Sequence, residues 1–410
     1  MAQTLKFGNK TWATKVGSTL AYNDENGNYK PLPFNFTRST SATRVNKEGL
    51  IEVVTNDRPR IDYTDTSDGV LLLEKAATNL VTYSEDFSGG SLNNVTRSLN
   101  TLDTLSPSGN NTSDKFTVTA NNADSFLRLT KTIAVQNFSA SIYVKGGIGQ
   151  KFQFFVARDS YTEIKDGDFT CNGEWQRFTF SDSFSTTSTT VVIGLEFGWG
   201  SDDSVLNQDY FLWGLQVETG NPSSYIPTQG SASTRVAETA SGSGNSEVFN
   251  DSEGVLYLDI NYKNIQSVWQ GIAITNNNSA NNRIFIGINL NTKLLEIYFI
   301  SGGSILWQPD FELSKINQFQ KIALKYKAND LALFVNGFEV ATNNSVTTMP
   351  IGLSLLGFFG FGTTEPQYGS TKEIGYYDTI LTDLELETLT SYKSWTSMVN
   401  ELNLNIIYNG

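Results

Sequence analysis

Short runs in which apolar side chains recur at every second position constrain the fold of this chain more than any other feature of its sequence. The odd-numbered positions of 191–200 are all apolar, and the run 210–218 repeats the arrangement. Successive residues of a β-strand point to opposite faces of the sheet, so each run predicts a strand with one face in a core. The predicted core-facing residues are Val191, Ile193, Leu195, Phe197 and Trp199 in the first run, and Phe211, Trp213, Leu215 and Val217 in the second.

Other segments extend this pattern along the chain. Strands are also predicted at 139–145, 151–157, 174–180, 255–262, 283–290, 294–300 and 321–327. In the last of these, apolar residues alternate with Lys321, Ala323 and Lys325. That alternation is typical of an antiparallel sheet with one face in water.

Turn and helix signals complete the fold prediction. Asn336-Gly337 supplies the positive backbone angles of a tight hairpin turn within 331–340. Thr382, with Glu385 three positions later, predicts a capping box that begins a short C-terminal helix. The predicted fold class is mainly β, with an irregular or β N-terminal segment, two antiparallel β-sandwiches and a short C-terminal helix.

Changes in composition predict where the chain divides. The run 229–254 is rich in small polar residues and has too little apolar surface to bury a core, so we predict a linker. The predicted parts are an N-terminal anchoring segment at 1–78, a sandwich at 79–228, a second sandwich at 255–393 and a tail at 394–410. The tail carries Leu402, Leu404, Ile406 and Ile407, and we expect it to be ordered only against a partner.

The composition excludes several classes of chemistry. The chain has no histidine, one cysteine and a formal net charge of -13. Histidine-dependent hydrolysis and His-based zinc sites are therefore excluded, and Cys171 is expected to be a small buried residue. The negative charge argues against nucleic acid as a partner. Residues 1–12 carry no apolar core of the length that a signal peptide needs, and no later apolar run reaches membrane-spanning length, so we expect neither a signal peptide nor membrane insertion.

The segment 36–80 carries a series of landmarks that no step of catalysis requires. It begins FTRSTSATRVNKEG, continues with RIDY and ends LLLEKAATNL. The series resembles the N-terminal module of tailed-bacteriophage virion proteins, F-x-R-x-S-x-A-T-x-V-x-x-x-G, R-x-D-Y and L-L-L-E-x-x-x-T-N-L, although Ser-Thr-Ser stands where the pattern has one spacer residue. The resemblance implies a structural virion protein of the head-fibre or tail-fibre type, located in the virion and assembled in the host cytoplasm.

Four arginines of this segment are candidates for docking on acidic surfaces of other virion proteins. The alternative is that they form intramolecular bonds that fix an irregular segment. The four candidates are Arg38, Arg44, Arg58 and Arg60.

Two further resemblances concern the predicted sandwiches. The phrases SEDF at 84–87, WQRF at 175–178 and DYFLWGLQVE at 209–218 make the first sandwich similar to jelly-roll carbohydrate-binding modules. The strand-turn-strand LFVNGFEV at 333–340 and the ending IGYYDTILTDLE at 374–385 make the second similar to laminin-G or concanavalin-A-like domains.

The resemblance of the first sandwich to jelly-roll modules implies a structural calcium held by Glu85, Asp86 and Asp209. The alternative is that these three are solvated surface carboxylates. No other cofactor is expected.

Binding of a glycan would require exposed aromatic rings with polar groups beside them, because rings stack on the apolar faces of pyranoses. Tyr210 lies off the predicted core-facing set, and the other candidates lie in predicted loops or off those faces. The candidate glycan-binding residues are Tyr161, Tyr210, Trp269 and Trp307.

These observations favour a virion component, of head or tail, that displays sandwich domains for adhesion to host surface glycans. We expect a homo-oligomer, with a trimer favoured by the resemblance, although no heptad repeat fixes the number. The alternative is a tail-associated polysaccharide depolymerase, since two carboxylates suffice for glycoside hydrolysis. The Glu-x-Asp-x-x-Glu strand of concanavalin-A-like hydrolases is missing from the sequence, so we do not expect an enzyme.

Overall fold

The computed structural model describes residues 3–8, 10–198, 204–263, 269–277, 279–289, 291–313, 316–359 and 367–401. The chain forms two compact units. Unit 1 comprises Met1–Ser39, Val54–Lys75 and Ala237–Gly410, and unit 2 comprises Thr40–Val53 and Ala76–Val236. The predictions for Trp199 and for the apolar tail residues Leu402, Leu404, Ile406 and Ile407 lie outside the described residues.

Short strands make up most of the described chain. The first half contains β1 Leu5–Gly8, β2 Thr14–Lys15, β3 Ser18–Thr19, β4 Tyr22–Asn23, β5 Lys30–Pro31, β6 Phe34–Thr37, β7 Ala42–Val45, β8 Ile51–Val54, β9 Arg60–Asp62, β10 Val70–Leu73, β11 Ala77–Asn79, β12 Ser91–Asn93, β13 Val95–Ser98, β14 Asp114–Val118, β15 Ser125–Lys131, β16 Asn137–Gly146 and β17 Lys151–Arg158. The second half contains β18 Glu163–Thr170, β19 Gln176–Ser183, β20 Val191–Gly198, β21 Asp209–Thr219, β22 Ser233–Arg235, β23 Thr239–Ser243, β24 Glu253–Asn261, β25 Trp269–Asn276, β26 Ser279–Asn289, β27 Leu294–Ser301, β28 Ser304–Trp307, β29 Asp310–Glu312, β30 Gln320–Lys327, β31 Leu331–Val335, β32 Phe338–Asn343, β33 Leu355–Gly357 and β34 Gly369–Tyr377. The helices are a single 3-10 turn at Glu25–Gly27, α1 Asp383–Thr390 and α2 Trp395–Glu401.

Unit 2 is a sandwich of two five-stranded antiparallel sheets, with strand orders β12-β15-β20-β17-β18 and β13-β14-β21-β16-β19. Their inner faces form one apolar core, which includes Leu127, Phe154, Ile193, Leu195 and Val217. The free Cys171 belongs to this core, and burial raises the pKa of its thiol to about 11. The predicted antiparallel β-sandwich is confirmed for this part of the chain.

Unit 1 is a second antiparallel sandwich, built from two ten-stranded sheets around a shared core. β24, β30, β31 and β34 lie in one sheet, and β25, β26, β27 and β33 lie in the other. The predicted hairpin is confirmed, because β31 and β32 pair across Asn336 and Gly337 with φ of 51° and 90°. Among the described residues no helix has the length and apolar character needed to cross a bilayer.

The predicted boundaries at 1–78 and 229–254 differ from the structure. β1, β4, β5, β9 and β10 belong to one sheet of unit 1, and β2, β3 and β6 belong to the other. Within the predicted linker, β23 pairs with β6 and β33, and β22 pairs with β11 in unit 2. The linker prediction failed because β22 and β23 are short and polar and are held by pairing with distant strands, with Ala240 as an apolar anchor.

Gly214 reverses the faces of β21. Its φ is +65°, and the register against β16 shifts between the pairs Ser141–Gln216 and Tyr143–Trp213, which marks a β-bulge. Before the bulge the even residues Tyr210 and Leu212 enter the core, and after it the odd residues Leu215 and Val217 do. The predicted core-facing orientation of Phe211 and Trp213 alongside Leu215 and Val217 is therefore wrong. Trp213 instead packs on the other face, against Ile51 and Tyr225.

A buried ionic cluster of unit 1 unites three landmarks of the N-terminal motif. The carboxylate of Glu238 accepts hydrogen bonds from Arg38 Nη1 at 2.7 Å and from Arg60 Nε at 2.8 Å. Arg60 Nη1 also pairs with Glu74 Oε2 at 2.8 Å, and the Glu74 amide donates to Glu238 Oε2 at 2.9 Å. Arg38 further donates to the carbonyl of Thr55 at 2.6 Å. The side chains of Arg38, Arg60 and Glu238 are completely buried.

The cluster corrects the docking prediction for two arginines. Arg38 and Arg60 form the intramolecular bonds that were the alternative, and neither presents a surface to another protein. Burial opposes the charge of Arg60, but Glu238 and Glu74 hold its pKa above the ordinary value. Arg44 bonds Glu52 through Nε at 2.6 Å and is half-buried, whereas Arg58 is exposed, so docking through these two stays a prediction.

The outer face of β30 is covered, and the predicted wet face is wrong. Lys325 is buried and binds Asp383 of α1 at 2.9 Å and Asp330 at 2.7 Å. Helix α1 packs Leu386 into an apolar cluster on this face that includes Val255, Tyr257 and Phe334. The predicted capping box is confirmed, since Thr382 and Glu385 bond each other's backbone amides.

Candidate functional site

The four aromatic residues predicted to bind glycan have different environments. Tyr161 is 40% exposed. Trp269 is half-buried and packs edge-on against Tyr298, with ring centroids 5.2 Å apart. Tyr210 is fully buried because the Gly214 bulge turns the first part of β21 around, and Trp307 is buried at the end of β28 in the core of unit 1. The predicted exposure of Tyr210 and Trp307 is therefore wrong.

Tyr161 stands at the edge of a polar and aromatic sheet face in unit 2. On the sheet β12-β15-β20-β17-β18, the residues that alternate with the core residues form two rows across the strands. One row is Asn93, Phe126, Glu196, Gln153 and Asp168, and the next is Ser91, Arg128, Gly194, Phe155 and Asp166. We call these residues together with Tyr161 the sheet-face site.

Arg128 is the centre of the sheet-face site. Its guanidinium lies 3.7 Å from the ring centroid of Phe126 and 5.5 Å from that of Tyr161. Its Nε and Nη2 atoms donate to Glu196 Oε1 at 2.9 and 2.6 Å. The guanidinium of Arg128 is thus held between the rings of Phe126 and Tyr161 and the carboxylate of Glu196. These groups together form a planar, partly exposed surface.

Glu196 is an unusual residue for the middle of a strand. It is 2% exposed, and burial raises the pKa of its carboxyl, against the opposing effect of Arg128. In the described part of the chain its Oε2 atom accepts no hydrogen bond. The site therefore holds a buried carboxylate with one oxygen of unused acceptor capacity, opposite Phe126 in the strand register.

Gly194 makes room for the ring of Phe155. A Cβ atom on Gly194 would lie 2.2 Å from two carbons of that ring. The ring of Phe155 can therefore lie flat across β20 and reach Tyr161, whose centroid is 6.2 Å away. A side chain at position 194 would push this ring out of the face.

We expect Gly194→Ala to lower the free energy of unfolding of the protein by about 1–3 kcal/mol, because the added methyl overpacks the site. The matched control is Gly89→Ala in the same unit, where an added Cβ meets nothing within 4 Å. Chemical denaturation of both variants measures the difference. Equal unfolding midpoints for the two variants would contradict the described packing of Phe155.

Hydrogen-bonding side chains of β17 and β18 lie beside the aromatic residues of the sheet-face site. Gln153 Nε2 donates to Asp166 Oδ2 at 2.7 Å and to Asp168 Oδ1 at 3.4 Å. Both carboxylates are exposed on the edge strand β18. Together these side chains offer several acceptors and donors to a ligand that lies across the rings.

The three residues predicted to hold calcium each bond other groups of the protein. Asp209 binds Lys115 at 2.9 Å and accepts a hydrogen bond from Thr117 at 2.6 Å. Glu85 accepts from the Tyr225 hydroxyl, and Asp86 accepts from the Ser88 amide. Across the described ranges, no three acidic or cysteine side chains are placed to share an ion. The structure therefore does not group Glu85, Asp86 and Asp209 around one ion, and the calcium that the resemblance implies stays a prediction.

Sequence reasoning found one residue of the sheet-face site, Tyr161, and missed its centre. The alternation of Leu127 and Leu129 with Phe126 and Arg128 was available as a signal that the latter two point outward. The pairing of Arg128 with Glu196 was not, since it joins positions 68 apart in sequence. The register of β15 against β20 brings them together.

Comparisons with known proteins give only distant similarities. No protein-family model matches the sequence, and no curated protein matches it. The Ruminococcus gnavus IT-sialidase CBM40 is 17% identical, with a TM-score of 0.32 over 37% of this chain and 94% of its own. Domain 4 of the Geobacillus stearothermophilus arabinanase AbnA, solved with arabinotriose, is 13% identical, with a TM-score of 0.30 over 42% and 84%.

A tandem CBM22 domain of Paenibacillus barcinonensis is 11% identical, with a TM-score of 0.27 over 74% of this chain and 98% of its own. Similarities at this level assign neither a family nor a function to the chain.

Proposed function

We propose that unit 2 binds glycan chains through the sheet-face site and that the protein acts in adhesion. The observation that carries this proposal is the exposed ring of Tyr161 beside Arg128 and Phe126, on one sheet face with hydrogen-bonding side chains. Aromatic rings pack on the apolar faces of sugars, while amides and carboxylates bond their hydroxyls.

Charge favours neutral sugars as ligands. Glu196, Asp166 and Asp168 outnumber the cations of this face, because Arg128 is already paired with Glu196 and exposed Lys151 is the next residue of β17 on the same side. A uronic or sialic acid would therefore meet excess negative charge. A neutral oligosaccharide meets acceptors without repulsion.

The proposal is tested by a glycan array probed with the full chain and with the double variant Phe126→Ala/Tyr161→Ala. Binding to neutral glycans is expected for the wild type and not for the double variant. Tyr29→Ala removes a ring of 74% exposure from unit 1 and serves as the control. Equal array signals for the wild type and the double variant would refute the sheet-face site.

We expect Tyr161→Ala to weaken the affinity for the best array ligand about tenfold, since loss of a stacked ring removes on the order of 1–2 kcal/mol. Tyr161→Phe keeps the ring and should bind within about twofold of the wild type. Isothermal titration calorimetry measures both. An affinity of the Ala variant equal to that of the Phe variant would contradict stacking on this ring.

A polysaccharide depolymerase is the alternative function of the same face. Release of reducing ends from a bound polysaccharide would support hydrolysis, whereas binding without release supports adhesion. The environment of Glu196 favours adhesion over hydrolysis, because this carboxylate is paired with Arg128 and is almost fully buried.

The setting we infer for this adhesion is a phage virion, as a fibre or decoration component assembled in the host cytoplasm. The support is the resemblance of residues 36–80 to virion proteins. A homo-oligomer, with a trimer favoured, stays a prediction that analytical ultracentrifugation tests. Negative-stain images of particles with and without the protein test the location.

A further inference from the structure

A recess in unit 2 shares no residue with the sheet-face site. It is a cavity of about 590 Å³ whose lining includes the partly exposed side chains of Tyr83 and Leu99. Glu85, Asp86 and Asp114 contribute three carboxylates to the same lining. A cavity of this size can hold one or two sugar rings.

The recess is electronegative. Among its described lining residues there is no lysine or arginine. Hydrogen bonds from Ser88 hold the pKa of Asp86 below its ordinary value, so that this carboxylate is charged. Lys131 and Arg97, both outside the lining, contribute to the same effect, and the guanidinium of Arg97 donates to the carbonyl of Phe87 at 2.8 Å.

Glu85 and Asp86 retain capacity to accept hydrogen bonds from a ligand. Both oxygens of Asp114 accept backbone amides, from Asn100 at 2.8 Å and from Phe87 at 3.3 Å. Glu85 Oε1 accepts the Tyr225 hydroxyl at 2.9 Å, and Asp86 Oδ1 accepts the Ser88 amide at 2.8 Å. Oε2 of Glu85 accepts no hydrogen bond from the described residues, and Asp86, whose carboxylate also bonds the Ser88 side chain, is exposed. Asp114 therefore fixes the loop, and the other two can bind a ligand.

An independent observation at Thr228 points to a ligand in this recess. Thr228 lines the cavity and is 8% exposed. Its hydroxyl has no hydrogen-bond partner within the described parts of the chain. A buried hydroxyl without a partner destabilises the fold, and a hydroxyl group of a ligand would supply that partner.

We propose that this recess binds an amino sugar through its protonated amine. The carboxylates of Glu85 and Asp86 accept the ammonium group, and Thr228 bonds a ring hydroxyl. The side chains of Tyr83 and Leu99 pack on the apolar face of the ring. This proposal is independent of neutral-glycan binding at the sheet-face site.

The test is titration calorimetry of the full chain with a glucosamine trisaccharide and with its N-acetylated form, in which acetylation removes the charge. At about pH 6 the free amine is protonated, and we expect it to bind about tenfold more tightly than the acetylated form. Asp86→Asn, on an exposed residue, should abolish this preference, and Thr228→Val should weaken the binding of the free amine. Circular dichroism verifies that both variants are folded.

The double variant Phe126→Ala/Tyr161→Ala should retain the preference for the free amine, which separates this site from the sheet-face site. Equal affinities of the two trisaccharides, or a preference that survives in folded Asp86→Asn, would overturn the proposal. Equally tight binding of trilysine would overturn its assignment to a sugar.

Discussion

Replacement of Glu238 by glutamine is expected to lower the free energy of unfolding of unit 1 by about 3–5 kcal/mol, since it removes a buried negative charge that pairs with both Arg38 and Arg60 and leaves Arg60 with Glu74 alone. Glu238 accepts hydrogen bonds from Arg38 and Arg60 and from the amide of Glu74, and its side chain is completely buried. For a unit of this size the loss corresponds to a decrease in Tm of roughly 6–20 °C. Differential scanning calorimetry of the full chain measures the change.

The control for this prediction is a surface pair of the same unit. Lys10 and Asp68 are 3.0 Å apart, with side chains 60% and 38% exposed. Asp68→Asn should change the free energy of unfolding by less than about 1 kcal/mol. If Glu238→Gln is no more destabilising than Asp68→Asn, the motif arginines do not stabilise the fold in the way described.

The second large effect concerns Asp259, a nearly buried carboxyl on β24. Burial raises its pKa from 3.8 to about 6, against the opposing effects of Lys372 and Lys321, while Glu401 and Glu373 raise it further. Oδ1 of Asp259 has no hydrogen-bond partner among the residues that the structure describes. Ionisation of this group therefore opposes folding.

The sign of the pH dependence follows from the raised pKa. Between about pH 4 and pH 6 the folded protein retains a proton that the unfolded chain has lost, so the free energy of unfolding falls as the pH rises. About two pH units between the two pKa values correspond to about 3 kcal/mol. Asp259→Asn should thus be more stable than the wild type by about that amount at neutral pH, and no more stable near pH 4.

Denaturant unfolding of both proteins across this pH range measures the effect. Asp310→Asn, on an exposed position of β29, is the control and should follow the wild type. A stability difference between Asp259→Asn and the wild type that does not change with pH would show that burial of the charge is not its cause.

The parts of the fold that depend on local pattern could be predicted from the sequence. The Asn336-Gly337 turn and the Thr382–Glu385 capping box each act within a few residues, and the structure confirms them, as it confirms strands at the period-two runs. The core-facing side of β21 could not be predicted across Gly214. This one residue of positive φ introduces a bulge, and the bulge reverses which residues face the core. That reversal buried Tyr210.

Features that join distant segments could not be predicted. The bond from Arg38 to Glu238 spans 200 positions, so the sequence left docking and internal pairing as equal alternatives for this arginine. The sheet-face site has the same origin, since the strand register brings Arg128 beside Glu196 and places both near Tyr161. The sequence pattern alone identified only Tyr161, the exposed ring of this site.

The most direct test of the central claim, that unit 2 binds glycan on its sheet face, is a crystal structure of the full chain soaked with the best neutral oligosaccharide from the array. We predict density for a sugar ring stacked on Tyr161, with hydroxyls bonded to Gln153 or Asp166. Density for the oligosaccharide only at other surfaces, with the sheet face empty, would contradict the claim.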